Sequence, residues 1–182
     1  HGYYINYPIL FDYLAKKNVP VIWTLHDCWA YTGHCTHFSY VNCSKWMNLC
    51  SNCPQKREYP KSYVIDQSRN NYEKKKKSFC AIPHMTIVTP SVWLASMVSL
   101  SFFKQYEVKV IPNGIDSDIF KIKASDFKKR NHIENKEMVL AVANVWDEKK
   151  GYSDIVRISE KLDSNQYQIV MVGVSKEQMQ AL

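Results

Sequence analysis

Four cysteines in the middle of the chain have the residue type and spacing of a metal site. They are Cys35, Cys43, Cys50 and Cys53. Cys50 and Cys53 form a Cys-x-x-Cys sequence, the spacing found in zinc knuckles, and four thiolates complete the tetrahedral site of a structural zinc ion. The sequence therefore predicts a structural zinc, with His34 and His37 as spare ligands. Two disulfides or four unligated thiols remain open as alternatives.

The other two cysteines, Cys28 and Cys80, are predicted to be small hydrophobic residues. The chain shows no secretion signal, so its thiols are expected to be reduced or metal-bound. No base stands near any cysteine at the spacing that an activated nucleophile needs, and a catalytic cysteine is therefore not expected.

His26 and Asp27 follow an apolar run, Val21–Leu25, that predicts a short buried strand. An imidazole at the end of such a strand could bind a polar substrate group or move a proton near neutral pH. The alternative is a structural histidine that donates one ring N–H to a nearby carbonyl. The sequence leaves both interpretations open.

Two adjacent lysines, Lys149 and Lys150, stand between a predicted strand and a predicted helix. The free amide groups at a helix N-terminus attract anions. Two ammonium groups at that position could neutralise a diphosphate and stabilise the charge that develops as it leaves. A Lys-Lys-Gly sequence is also common on solvated surfaces, so the position favours phosphate binding without establishing it.

Apolar runs alternate with helical patterns along the chain, and this alternation predicts an α/β fold with parallel sheets. The predicted strands are 21–25, 85–89, 108–111, 138–143 and 167–172. The predicted helices are 9–17, 66–80, a helix capped by Ser91, and 152–162.

A turn at Pro112-Asn113-Gly114 and the charged stretch 121–136 interrupt this pattern. They predict a first domain over residues 1–112, a linker over 113–137 and the start of a second domain over 138–182. Residues 28–60, here called the cysteine segment, show no periodicity and are predicted to be an insertion in the first domain. A stretch this irregular needs an anchor inside a compact domain, and a metal would supply one.

Ligands of open parallel sheets bind beyond the carboxyl ends of the strands. That rule predicts one cleft between the two domains, lined by residues from five strand ends. Besides His26 and the two lysines, the predicted lining residues are Asp27, Ser91, Asn113, Gly114, Asn144 and Gly173.

Composition favours a globular protein with anionic partners. The 182 residues include 24 Lys and Arg against 17 Asp and Glu, a net charge of +7, and 46% are hydrophobic. This balance suits phosphorylated small molecules, nucleic acid or an acidic membrane surface. The run Lys74–Lys77 is interpreted as a solvated helix face, and no apolar run approaches the roughly 20 residues of a membrane-spanning helix.

Five stretches together resemble a known family of enzymes. They are Thr24–Cys35, the region of Cys43, Trp46 and Cys50–Pro54, the pair Tyr59-Pro60, Thr89–Ala95, and Val110–Phe120. They are similar to retaining bacterial glycosyltransferases of family four, which have the GT-B fold. Within that family they look like enzymes that assemble colanic-acid-like and capsular polysaccharides, and the resemblance runs from His1 to about Gly173.

The resemblance implies two Rossmann-like domains that face each other across a cleft, both incomplete in this chain. The family's N-terminal glycine-rich loop and its C-domain glutamate pair have no counterpart here, so the resemblance implies a chain truncated at both ends and inactive alone. It further implies transfer of a sugar, with retention, from a UDP- or GDP-linked donor to a saccharide or lipid-linked saccharide acceptor. No catalytic metal is expected. A cytoplasmic location is implied, and peripheral contact with the inner face of the membrane stays open.

The resemblance also implies roles for individual residues. His26 corresponds to the histidine that contacts the donor sugar, and is the predicted catalytic residue. Lys150 corresponds to the lysine that holds the donor diphosphate, with Lys149 beside it. Asn144 stands where many relatives have an arginine, so one of the usual two cations is absent.

A second hypothesis is a zinc-organised module that binds nucleic acid through the cysteine segment and the lysine run. It predicts binding to DNA or RNA that weakens steeply with salt. Against it, the aromatic residues are not interleaved with the basic ones, and the α/β pattern offers no obvious groove-reading helix.

Overall fold

The structure is a computed structural model that describes residues 4–180. It contains two small sheets of parallel strands with helices between them, which confirms the predicted α/β class. The chain divides into two compact units, and the division falls between Ile115 and Asp116. The outer ends of the two predicted domains, residues 1–3 and 181–182, lie outside the described residues.

Between residues 4 and 115, the first unit contains a three-stranded sheet and three α-helices. The helices are α1 Tyr7–Lys17, α2 Ser68–Phe79 and α3 Val92–Leu100, and the strands are β1 Val21–Thr24, β2 Met85–Thr89 and β3 Glu107–Val110. The strand order is β1-β2-β3, and both pairings are parallel, with Val21 opposite Met85 and Thr86 opposite Glu107.

Two helices of this unit, α1 and α3, begin at side chains that cap them. The Asn6 side chain accepts a hydrogen bond from the N–H of Ile9 at the start of α1, and Asn18 ends that helix in the left-handed conformation (φ 51°). Ser91 caps α3 as predicted, because its Oγ accepts from the N–H of Leu94 at 3.2 Å. These caps fix where α1 leads into β1 and where β2 leads into α3.

Aromatic side chains form much of the core of the first unit. The ring of Phe79 on α2 lies 4.6 Å from the ring of Phe11 on α1 and 4.8 Å from that of Trp23 on β1, measured between centroids. Phe79 and Phe103 are completely buried. Because each large buried aromatic contributes a few kcal/mol of apolar burial, this cluster holds the two helices against the sheet.

The second unit contains a two-stranded parallel sheet. Its elements are α4 Phe127–Arg130, β4 Glu137–Val142, α5 Tyr152–Lys161, β5 Tyr167–Val172 and α6 Lys176–Gln180. The register pairs Glu137 with Tyr167 and Val142 with Val172. The short helices α4 and α6 were not predicted, and α4 lies in the stretch expected to be a connector. No helix within residues 4–180 is long and apolar enough to cross a bilayer.

Candidate functional site

In the first unit, three predicted site positions follow three neighbouring strands. His26 comes after β1, Ser91 after β2 and Asn113 after β3. Since β1, β2 and β3 are parallel and adjacent, all three positions belong to the carboxyl edge of one sheet. The side chains of His26 and Asn113 are exposed there.

Two other predicted lining residues of this edge take part in local hydrogen bonds. The Asp27 carboxylate accepts from the N–H of Trp29 at 2.8 Å, which starts the 3₁₀ turn Trp29–Tyr31. The Ser91 hydroxyl is the cap of α3. Gly114 is exposed, and no atom lies within 4 Å of the position that a Cβ would take. The side chains of Asp27 and Ser91 therefore fix the local backbone at the carboxyl edge of the sheet.

In the second unit, the ends of β4 and β5 meet at Gly173. This glycine has a φ of 88°, and a Cβ on it would lie 1.7 Å from the carbonyl oxygen of Ala143 and 3.6 Å from the Cα of Asn144. No other residue fits this contact without moving the backbone. The structure thus brings two predicted site residues, Asn144 and Gly173, together.

The two predicted phosphate-binding lysines lie on the next turn. Lys149 and Lys150 belong to the 3₁₀ turn Glu148–Lys150, and both side chains are exposed. Asp147 fixes this turn by accepting from the N–H of Lys150 at 2.9 Å, and the Ser153 hydroxyl donates to the Glu148 carboxylate. The turn thus presents two ammonium groups beside the carboxylates of Asp147 and Glu148. The prediction of phosphate binding had considered the lysines alone.

The loop that carries this turn is anchored by Trp146. Its indole N–H donates to the carbonyl of Val172 at 2.9 Å, and the side-chain amide of Gln178 donates to the Trp146 carbonyl at 3.1 Å. The ring is buried. The lysine turn is therefore tied to the end of β5 and to α6. The predicted cleft shared by the two units stays a prediction.

The four cysteines of the predicted metal site line one small cavity of about 10 Å³ in the first unit. A hydrogen bond between Cys35 and Cys53 raises the pKa of Cys35 and lowers that of Cys53 to about 7, while burial raises the pKa of Cys50 to about 11. All six cysteines are free thiols. Within residues 4–180, no three His, Cys, Asp or Glu side chains are already arranged to hold a metal ion.

Of the two spare ligands, His34 is buried at the same cavity, whereas His37 is exposed. The His34 Nε2 atom has no hydrogen-bond partner. Burial lowers the pKa of His34, and the neighbouring Asp66 carboxylate opposes that shift. A neutral imidazole therefore faces the thiols.

The interpretation of Lys74–Lys77 as a solvated face is wrong for Lys75. This residue is 2% exposed, and its ammonium donates to the carbonyls of Trp29 at 2.7 Å and Thr32 at 3.0 Å. The ammonium also lies 3.6 Å from the centre of the Trp29 ring. Burial lowers the pKa of Lys75 to about 7. The sequence did contain a sign of this, because Lys75 is three residues after Tyr72 and four before Phe79, both on the apolar face.

Three further residues around the thiols were missed. The Asp66 carboxylate accepts from the N–H groups of Cys53 at 2.7 Å and Ser68 at 2.8 Å. Gly33 packs against the carbonyl of Ser68 so closely that a Cβ would lie 2.0 Å from its oxygen. Gly33 belongs to the stretch Thr24–Cys35, but no motif shows its contact with Ser68 or that of Asp66 with Cys53, since these contacts form only when the chain folds.

The chain is similar to one curated protein over much of its length. It is 29% identical over 123 residues to an Escherichia coli K12 protein provisionally named colanic acid biosynthesis glycosyl transferase WcaC. The alignment covers 64% of this chain and 29% of the relative, so the chain spans less than a third of that protein's length. No protein-family model matches the chain. No solved structure matches it either.

Proposed function

We propose that this chain belongs to a glycosyltransferase that moves a sugar from a nucleotide-sugar donor to a saccharide acceptor, with retention, in bacterial surface polysaccharide biosynthesis. The observation that carries the proposal is the similarity to the E. coli colanic acid glycosyl transferase. The parallel sheets support it, because exposed polar and cationic residues follow the carboxyl ends of their strands, where α/β folds bind nucleotides.

The proposed donor site lies on the second unit. The diphosphate of a UDP- or GDP-sugar would bind at Lys149 and Lys150, beside the loop where Asn144 and Gly173 meet. As the bond between the anomeric carbon and the diphosphate oxygen breaks, the leaving group gains negative charge, and two ammonium groups would stabilise it. This role replaces that of a divalent metal. Asp147 and Glu148 on the same turn would counter part of the positive charge.

The proposed acceptor side lies on the first unit. His26, exposed at the end of β1, would contact the donor sugar, while Asn113 and Gly114 would line the same edge of the sheet. The oxygen of an acceptor hydroxyl then bonds to the anomeric carbon on the face that the diphosphate leaves, which gives retention, and the hydroxyl proton passes to the departing diphosphate oxygen. The acceptor is proposed to be a saccharide, free or lipid-linked.

Calorimetry with UDP, GDP and their sugars tests the donor site. We expect the chain to bind at least one of them, and Lys150→Ala to weaken that binding about tenfold, the loss expected for one charge-assisted contact. Lys161→Ala, an exposed lysine at the end of α5, is the matched control and should change little. Binding that Lys150→Ala and Lys161→Ala affect equally would remove the proposed phosphate role.

The rate of sugar transfer by the full-length protein tests the proposed role of His26 in the first unit. His84, also exposed, precedes β2 and therefore belongs to the opposite edge of the sheet from His26. We expect His26→Ala to lower kcat strongly and His84→Ala to leave it near the wild-type value. Equal effects of the two substitutions would contradict a role for the carboxyl edge.

The nucleic-acid hypothesis gains no support. Lys75, one of the four lysines on which that hypothesis relied, is buried and bonded to backbone carbonyls. The run therefore does not present a continuous basic surface.

A further inference from the structure

The geometry points to a structural zinc ion bound by Cys35, Cys43, Cys50 and Cys53, with Lys75 as its buried counter-cation. The inference is independent of the proposed glycosyl transfer, because it concerns what holds the cysteine segment in place. The four thiols come from positions up to 18 residues apart (35 to 53) and still line one cavity. That cavity, about 10 Å³, accommodates about one particle of the size of a water molecule.

The fold of the cysteine segment aims these residues at the cavity. Lys45 donates to the carbonyls of Ser51 and Asn52, both at 3.0 Å, and so holds the turn between Cys50 and Cys53. Asn52 takes the left-handed conformation (φ 46°) that a tight two-residue turn requires. The Asp66 carboxylate, which is not part of this turn, accepts a hydrogen bond from the N–H of Cys53 and so fixes its backbone. These protein contacts therefore hold the turn in shape.

Two of the four thiols have backbone hydrogen bonds that favour their thiolate form. They come from Gly33 to Cys50 and from Gln55 to Cys53. Two further polar atoms at the cavity, His34 Nε2 and Ser68 Oγ, are buried without a hydrogen-bond partner. Thiolates bound to a metal accept such hydrogen bonds, and buried polar atoms are normally paired.

The charge at Lys75 fits the same arrangement. A zinc ion with four thiolates carries a net charge of −2, which is costly to bury without a cation nearby. The ammonium of Lys75 donates at 3.0 Å to the carbonyl of Thr32, a residue that lines the cysteine cavity. The groups that favour its charged form are Cys50, then Cys35 and Asp27. A buried lysine at this place would stabilise the metal-thiolate cluster, and the cluster would in turn stabilise the lysine.

Zinc is the metal that these ligands select. Four soft sulfur ligands favour tetrahedral zinc, and four protein ligands leave no open position for a substrate, so the role is structural. Within residues 4–180, no three of these side chains are arranged around one point, so the inference requires the thiols to rotate towards the ion. His34 is not needed as a ligand.

Metal analysis of the chain tests the inference directly. Protein purified under reducing conditions without a metal-affinity tag should contain about one zinc per chain. Serine substitutions of Cys35, Cys43, Cys50 and Cys53, made one at a time, should lower that content sharply. Cys80→Ser is the matched control, because Cys80 is half-buried in the same unit but bonds to the carbonyl of Phe102 instead, and it should keep the zinc.

Cobalt substitution keeps the test independent of whether the serine variants fold. Co²⁺ bound to the unaltered chain should give the intense visible absorption of tetrahedral cobalt with sulfur-to-metal charge transfer, and Zn²⁺ should abolish it. Iron in place of zinc, a mass shift of two disulfides without metal, or cobalt spectra without sulfur ligation would each overturn the inference.

Competition with a chelator tests the role of Lys75. We expect Lys75→Met to weaken zinc binding about 10- to 100-fold, as substitutions around the ligands of a metal commonly do. Lys77→Met removes an exposed lysine of the same helix and should leave the affinity unchanged. Equal zinc affinities of the two variants would overturn the assignment of Lys75 as counter-cation.

Discussion

The cysteine segment and the first part of the linker, residues 113–126, contain no α-helix and no strand, and the cysteine segment has only short 3₁₀ turns. The two stretches nevertheless differ in burial. The cysteine segment buries large side chains, among them Tyr31, Phe38 and Trp46. The linker also contains large apolar residues, but Ile119 and Phe120 are 64% and 67% exposed. Apolar composition alone therefore does not determine which irregular stretch becomes part of a core.

The difference lies in the bonds that the two stretches make. Inside the cysteine segment, the Thr32 hydroxyl donates to the carbonyl of Cys35 at 2.5 Å and the Gln55 amide donates to the carbonyl of His37 at 2.6 Å. The Tyr72 hydroxyl, from α2, donates to the carbonyl of Trp46 at 3.1 Å. Because a buried carbonyl without a partner costs free energy, such bonds are what permit an irregular backbone to be buried.

The largest difference in the free energy of unfolding is expected between substitutions of two aromatic residues, one in each stretch. Trp46 is 2% exposed, stacks on Phe38 at 4.6 Å and donates its indole N–H to the carbonyl of Cys43. We expect Trp46→Ala to lower the free energy of unfolding by about 3–5 kcal/mol through the cavity that it leaves. Phe120→Ala should change that free energy by less than about 0.5 kcal/mol, as exposed positions usually do.

Urea unfolding followed by circular dichroism measures both variants. Hydrogen exchange of the peptide that covers residues 28–60 then shows whether the loss is local to the cysteine segment. Similar losses for Trp46→Ala and Phe120→Ala would contradict the contrast between the two stretches.

The regular elements could be predicted from the sequence because their local patterns agree with their tertiary packing. The run Met85–Thr89 consists mostly of β-branched residues and forms the central strand β2, and Ser91 caps the next helix as its residue type suggests. Helix α4 was missed because its four residues, Phe127–Arg130, are too few to show periodicity.

The surroundings of the cysteines could be predicted only in part. The identity and spacing of the four cysteines gave the candidate ligands, whereas the approach of Gly33, Asp66 and Lys75 depends on contacts between distant parts of the chain. Lys75 is the most instructive case, because its position on the apolar face of α2 was visible but its residue type suggested a solvated side chain. A buried cation needs compensating groups, and no local pattern shows where those groups are.

A smaller difference in the free energy of unfolding is expected between alanine substitutions of two glycines, one closely packed in the cysteine segment and one exposed in the linker. Gly33 lies where an added Cβ would be 2.0 Å from the oxygen of Ser68 and 2.7 Å from the Cβ of Cys50, whereas nothing lies within 4 Å of the same position on Gly114. We expect Gly33→Ala to destabilise the protein by about 1–3 kcal/mol through overpacking. Gly114→Ala should be neutral or stabilising by up to about 1 kcal/mol, since it restricts the unfolded chain. Urea midpoints that fall equally for both would show that the packing at Gly33 is looser than described.

The smallest expected effect compares two aspartates that make the same kind of bond. Asp66 accepts from the N–H groups of Cys53 and Ser68, and Asp116 in the linker accepts from those of Asp118 and Ile119, at 2.9 and 3.3 Å. Asp66 is half-buried, and hydrogen bonds from Ser68 and Cys53 outweigh the effect of its burial and lower its pKa. Asp116 is exposed, so water can replace its carboxylate.

We therefore expect Asp66→Ala to cost about 1.5 kcal/mol of the free energy of unfolding, the lower end for hydrogen bonds to a charged group. Asp116→Ala should cost less than about 0.5 kcal/mol. Asp66→Asn keeps one acceptor oxygen and should recover part of the loss, which distinguishes the hydrogen bonds from the volume of the side chain. An equal cost at both aspartates would mean that local turns, and not bonds across the fold, hold the cysteine segment in place.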